Sequence, residues 1–338
     1  MQILFEKLNT YGILKLQILN EVMQMYYIGV DLGGTNIAVG IVESNGNIIK
    51  KISAPTPFNE DYIKVVKAMV DLCKKVVDEA NLDLSDIEAV GIGCPGSIDY
   101  KKGAVAYSNN LSFDDAPIRT EFQKHWEIPV ALENDANAAA YGEYIAGGNH
   151  ASVFVAITLG TGVGGGIVID GKIFRGANGV GAELGHTVFV HNGALCTCGR
   201  KGCWEAYASA TALINQTKIA MEKHPESLMS KYVEKYGKVN GQIAFDAAKE
   251  GDAVANQVVK TYIGYIADGI TNMINIFQPD KIVIGGGISN EGEYILEPIR
   301  EHVQKYDYNK LFKRAEVSLA TLRNDAGIIG AALAAKNL

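Results

Sequence analysis

From Tyr26 the chain reads YYIGVDL, breaks at Gly33-Gly34-Thr35, resumes as NIAVGIVE, and begins a third β-rich run after Ser44-Asn45-Gly46-Asn47. Valine- and isoleucine-rich runs separated by Gly/Asn turns predict a three-stranded antiparallel start. Over residues 61–80 the period changes: Ile63, Val66, Met69, Val70, Cys73, Val76 and Val77 recur at helical spacing, ahead of an apolar strand at 89–93. Alternating strand and helix is the pattern of an α/β domain. At Val153 the opening repeats as VFVAITLGTGVGGGIVIDGKIF, with Leu159-Gly160-Thr161-Gly162 matching Leu32-Gly33-Gly34-Thr35. The echo is too widely spaced for a solenoid, whose periods are roughly 20–50 residues, and predicts two copies of one domain. Helices are expected at 208–221, 244–249, 253–277 and 326–336, with a strand at 281–285. The resulting division is an N-terminal extension, 1–24; a first α/β domain, 25–135 plus 321–338; and a second, 136–320. No Pro-, Gly- or Ser-rich linker separates the halves, so the domains are expected to pack directly and to move as a hinge.

A chain of 338 residues suits two cores with a cleft between them. Its formal charge of −7 is spread over acidic and basic residues without long blocks, which gives no footprint for nucleic acid or an anionic membrane. No stretch approaches the roughly 18 consecutive apolar residues of a spanning helix. Glu6 and Lys7 interrupt the only candidate signal-peptide core, so a cytoplasmic protein is expected. Residues 1–24 read as an upstream start or a frayed terminus. The five cysteines do not suit a disulfide scaffold, because Cys196, Cys198 and Cys203 crowd together while Cys73 and Cys94 stand apart.

A strand-Gly-Gly-Thr-strand hairpin turns backbone N–H groups into one concavity and lets phosphate oxygens approach without a Cβ in the way. The turns at Gly33, Gly34, Thr35 and Asn36, and at Gly160, Thr161 and Gly162, together with Gly285-Gly286-Gly287 after a third strand, therefore suit a nucleoside triphosphate. Asp31, just before the first turn, could hold Mg²⁺ through water as a hard oxygen ligand. Gly91-Ile92-Gly93-Cys94-Pro95-Gly96 mimics a dinucleotide fingerprint, but Pro95-Gly96 reads as a turn and no amphipathic helix opens there; no Walker-type loop occurs. The spacing C-x-C-x₄-C, with glycines at 199 and 202 and a histidine upstream, gives a Cys₃His set suited to tetrahedral Zn²⁺. His186 and His191 compete for the fourth position. Four protein ligands imply a structural ion, since a catalytic zinc keeps one position open.

Six motifs in order, DLGGT from Asp31, CPG from Cys94, ENDAN from Glu133, LGTGVGG from Leu159, ExGH from Glu183 and the cysteine cluster ending in Glu205, resemble the ROK family of sugar kinases, its bacterial glucokinase branch in particular. The resemblance runs from Tyr26 to the end. It implies a two-domain actin-like, ribonuclease-H-like fold binding MgATP and a free hexose, with glucose converted to glucose 6-phosphate. It implies Asp135 as the general base, Asn134 as a sugar ligand beside it, and Glu183, His186 and Glu205 as contacts to sugar hydroxyls, with His186 also a zinc ligand. Asn110 would meet the sugar from the other domain. It also implies a homodimer or higher homo-oligomer. Cys94 departs from the aliphatic or small residues usual before Pro-Gly. N-acetylmannosamine, allose and fructose kinases are the alternatives within the family. A sugar-responsive transcriptional repressor is the competing class; it carries an N-terminal helix-turn-helix domain, for which 24 residues are too few.

Overall fold

Apolar side chains at successive positions of YYIGVDL require burial on both faces, which only a strand inside a sheet can provide. In the computed structural model, which describes residues 25–57, 60–108, 111–147, 150–336 and 338, this run is β1 (Tyr26–Leu32). It pairs antiparallel with β2 (Asn36–Glu43), and β2 with β3 (Ile48–Pro55). A helix, α1 (Tyr62–Glu79), follows; Asp61 caps it by accepting a hydrogen bond from the Lys64 N–H, and its apolar stripe Val66, Met69, Cys73 and Val77 is buried. The chain then lays β4 (Ile87–Cys94) parallel to β1. A small antiparallel sheet of β5 (Ser97–Asp99), β6 (Ala104–Ser108) and β7 (Phe113–Ala116) and a short helix, α2 (Ile118–Gln123), intervene. Finally β8 (Val130–Asn134) pairs parallel with β4. The main sheet is ordered β3-β2-β1-β4-β8. The expected extension, 1–24, lies outside the described residues.

The second unit repeats this plan. After α3 (Asp135–Ala146), β9 (Val153–Leu159), β10 (Val163–Ile169) and the two-residue β11 (Lys172–Ile173) form the antiparallel half. Helices α4 (Glu205–Ala208), α5 (Ala210–Lys223), α6 (Leu228–Tyr236), α7 (Ile243–Lys249) and α8 (Ala253–Phe277) follow. Then β12 (Lys281–Gly285), α9 (Glu293–Tyr306), β13 (Glu316–Leu319) and α10 (Ala326–Ala335) complete the chain. The sheet order β11-β10-β9-β12-β13, with β12 parallel to both β9 and β13, is that of the first unit. The single helix expected at 208–221 is two, because Ser209 leaves helical geometry to cap α5 with its side chain.

Among the described residues the first unit comprises 25–135 and 331–338, the second 136–330. Residues 321–330 thus group with the second unit. The Glu143 carboxylate on α3 holds them there, accepting hydrogen bonds from the Thr321 N–H and hydroxyl and the Leu322 N–H at 2.7–3.1 Å. Each unit has its own apolar core, one drawn from residues 28–132 and the other from 155–317. Gly91 is glycine for packing: a Cβ there would lie 1.8 Å from the Ala331 carbonyl oxygen, so the dinucleotide-like motif serves close approach of α10 to β4. No helix among the described residues is long and apolar enough to cross a membrane.

Candidate functional site

Strand register alone gathers the carboxylates of the first unit. Asp31 on β1 stands beside Gly93 on β4, and Cys94, the next residue of β4, stands beside Asn134 at the end of β8. Asp31, Asn134 and Asp135 therefore flank the carboxyl end of β4, the end of a parallel sheet where ligands bind in open α/β folds. Burial, reinforced by the Asp135 carboxylate, pushes the Asp31 pKa up to about 6. Burial and the same two carboxylates keep the Cys94 thiol protonated. Asp135 is the first residue of α3, where the helix N-terminus favours negative charge. The Asn134 side chain donates to the Gly96 carbonyl oxygen at 3.2 Å, across the turn that Gly96 makes at φ +110°.

Sequence reading missed the support beneath these residues. Glu133 is buried, and its carboxylate accepts hydrogen bonds from the Tyr100 hydroxyl and from the Asn134 N–H. Arg119 in turn donates to the Tyr100 carbonyl oxygen. Tyr100 follows β5, a strand too short to register as a pattern. Asn110 lies outside the described residues.

The glycine turns divide by what occupies the place of a Cβ. The Gly33 N–H closes its own hairpin onto the Asn36 carbonyl oxygen, and the Gly160 N–H onto that of Gly162, so these two amides are spent internally. Gly34, Thr35 and Thr161 have N–H groups that no described backbone oxygen accepts. A Cβ on Gly160 or Gly287 would meet nothing within 4 Å, whereas on Gly286, at φ +84°, it would strike the Leu159 carbonyl oxygen. Gly285 pairs with Thr158, so the turns after β9 and β12 emerge side by side. Gly162 is reserved for a side chain rather than a ligand, since a Cβ there would lie 2.2 Å from Glu205 Oε2.

Glu205 is held at both oxygens. Oε2 accepts from the Val163 N–H at 3.0 Å, while Oε1 accepts from the Thr197 hydroxyl at 3.0 Å and from the Cys196 thiol at 3.3 Å. A carboxylate offers about four lone-pair sites, which leaves capacity for a further donor. Beside it, His186 and Cys196, Cys198 and Cys203 place their ligand atoms all within 4.8 Å of one another. The Cys198 and Cys203 sulfurs are 3.7 Å apart, and Cys196 Sγ lies 3.7 Å from His186 Nδ1. A tetrahedral ion with metal–sulfur bonds of about 2.3 Å spaces its sulfurs about 3.8 Å apart, so the donor set fits zinc. His191 instead faces the Asn192 side chain. Gly199 and Gly202 both take positive φ, as the tight loop demands. Glu183 precedes the 3-10 turn Leu184–His186 and accepts the His186 N–H on its carbonyl oxygen. Trp204, fully buried, anchors the loop by donating its indole N–H to the Tyr265 carbonyl oxygen, in a space that Gly269 leaves open.

Comparison with known proteins agrees with this arrangement. The ROK family model matches residues 27–337. A glucokinase of Thermotoga maritima is 41% identical over 308 residues, covering 90% of this chain and 95% of the relative. A glucokinase of Halalkalibacterium halodurans is 38% identical over 307 residues, covering 90% and 93%. The crystal structure of a ROK family glucokinase from Streptomyces griseus in complex with glucose and AMPPNP superposes with a TM-score of 0.78 at 36% identity, covering 93% of this chain and all of that one.

Proposed function

The chain belongs to the ROK family, and from that premise we propose that it transfers the γ-phosphoryl group of ATP to glucose, giving ADP and glucose 6-phosphate. The observation that carries the reading is the register that brings Asp31, Asn134 and Asp135 together at the ends of β1 and β8. The repeated sheet order supports an actin-like, ribonuclease-H-like architecture.

In this reading the 6-hydroxyl oxygen of the sugar attacks the γ-phosphorus, and its proton passes to the Asp135 carboxylate. The bond from phosphorus to the β–γ bridging oxygen breaks, and its electron pair leaves with ADP. Because the transition state of phosphoryl transfer is loose, positioning and charge neutralisation carry much of the rate. The free N–H groups of the glycine turns suit the phosphates. A magnesium ion bound with the nucleotide supplies positive charge at the phosphates; Asp31 suits it, as a carboxylate made unfavourable by burial and a like-charged neighbour gains most from a dication. Asn134, Glu183, His186 and Glu205 are assigned to sugar hydroxyls, which donate and accept in pairs; Asn110 keeps the same assignment. A zinc ion on His186, Cys196, Cys198 and Cys203 would cross-link the loop that carries Glu205 and so fix its direction.

An ADP-release assay over a panel of hexoses tests the substrate. Glucose should give the highest kcat/KM. Turnover led by N-acetylmannosamine, allose or fructose would replace glucose as the substrate, and no turnover on any sugar would remove the kinase reading.

A further inference from the structure

Between β5 and β6 the chain makes a tight turn, 99–103, that is fastened from several directions. The Asp99 carboxylate accepts the N–H groups of Lys101 and Lys102, and its carbonyl oxygen accepts the Gly103 N–H. Gly103, at φ +66°, leaves the place of a Cβ to the Arg119 side chain, and its carbonyl oxygen accepts the Arg119 N–H. The Arg119 guanidinium then reaches two ways: Nε donates to the Val130 carbonyl oxygen, at the start of β8, at 3.0 Å, and Nη2 to that of Tyr100 at 3.4 Å. One side chain of α2 thus ties the turn to β8. What the turn delivers is the Tyr100 hydroxyl, which donates to Glu133 Oε1 near the other end of that strand.

Glu133 is only 1% exposed, the last of four successive buried residues on β8. A carboxylate taken out of water there costs the fold more than an apolar side chain would. The oxygen that takes the Tyr100 hydroxyl also accepts the Asn134 N–H, at 3.0 Å. The carboxylate is therefore held from one side, and from the other it holds the peptide that leads into Asn134. The Asn134 side chain is fixed separately, by the Gly96 carbonyl oxygen. One residue later Asp135 opens α3. With the N–H and the side chain of Asn134 both fixed, the helix starts at a set place and its first carboxylate has a set direction.

We infer that Tyr100 and Glu133 are positioning residues for the base: through the Asn134 N–H they aim the Asp135 carboxylate, without themselves exchanging a proton with the sugar. The inference rests on the reading of Asp135 as the base. Sites of this kind hold a reacting group to within about 0.5 Å through the hydrogen bonds behind it, and a buried carboxylate with two converging donors supplies such a hold.

Turnover of the full chain, with Asp135→Asn measured beside it, tests this. Tyr100→Phe removes one hydroxyl and keeps the ring. Its kcat should fall at least about tenfold, towards the roughly 100-fold that misplacement by about 1 Å costs, with glucose affinity by calorimetry little changed. In the Asp135→Asn background the same change should cost less than about twofold, because groups that act through one another are not additive. Glu133→Leu should slow turnover as Tyr100→Phe does, whereas Glu133→Gln, whose amide oxygen accepts from both donors, should keep most of the wild-type rate. A Tyr100→Phe enzyme at full rate, losses that multiply in the Asp135→Asn background, or a Glu133→Gln enzyme as slow as Asp135→Asn would each overturn the inference. The last result would make the charge of Glu133 part of the chemistry. If Asp135→Asn keeps about a tenth of wild-type turnover or more, well above the loss expected for a missing base, the base assignment falls and this inference with it. A slow Asp135→Asn beside a full-rate Tyr100→Phe removes the positioning alone.

Discussion

Ionised Asp31 is disfavoured first by burial and then by the Asp135 carboxylate, which together hold its pKa at about 6 against 3.8 in the unfolded chain. Between these values the native state binds more protons than the unfolded one, so Asp31 subtracts stability as pH rises through that window, and the loss is complete above it. Asp31→Asn copies the protonated form at every pH. In urea melts the variant should match the wild type at pH 3.5 and gain on the order of 1–3 kcal/mol at pH 7.5, while losing activity through its nucleotide role. A pH-independent difference between the two proteins would show that Asp31 does not carry this penalty. Asp135→Asn tests the base directly. Asparagine keeps the size and hydrogen-bonding reach but cannot take a proton, so kcat should fall by roughly 10²–10⁴-fold with glucose affinity, by calorimetry, little changed. Were Asp135 only a good residue for the start of α3, asparagine would serve nearly as well, and a variant retaining a tenth of wild-type turnover or more would remove it from the chemistry.

Among the elements, those built on a strong local pattern were legible and those built on distant contacts were not. The limits of α8 and β12 follow from unbroken periodicity closed by turn residues, and α1 from its stripe behind Asp61. Helices α6 and α9 escaped: α6 buries only Met229 and Tyr232, and α9 carries Pro298 inside it. The sheet β5-β6-β7 escaped because strands of three to five residues leave too little alternation to count. The glycine turns share one sequence pattern, and that pattern does not disclose that Glu205, over forty residues on, fills the place of a Cβ at Gly162. Substitution separates the two uses. Gly162→Ala should displace the carboxylate, costing about 1–3 kcal/mol of stability as overpacking does and raising KM for glucose. Gly160→Ala enters open space, so thermal stability should hold while KM for ATP rises. If Gly162→Ala spares both melting temperature and glucose KM, the Glu205 contact is not what keeps that position glycine.

At the scale of the molecule, the Gly-Thr echo announced two copies of one sheet, and the identical strand orders bear that out. What it could not announce is that, among the described residues, the two cores share none. Independent cores in one chain are a common reason for unfolding to depart from a single two-state transition. The Cys₃His loop bears on the second core alone, because Trp204, the residue after Cys203, belongs to that core together with β10 and α8. Protein purified without chelator should carry about one zinc per chain, since a four-ligand structural site holds one ion. Metal removal, or Cys198→Ser, should lower one calorimetric transition by at least about 4 °C, as the loss of 2 kcal/mol or more implies for a unit of this size. Hydrogen exchange should then assign the lowered transition to β9 and β12, with the amides of β1 and β4 protected as before. The placement of the loop sets this asymmetry: its ligands, the Glu205 carboxylate beside them and the indole that anchors them all lie in residues 186–205. Zinc content clearly below one per chain, or a Cys198→Ser protein whose second-unit transition stays where it was, would leave the three thiols without a structural role.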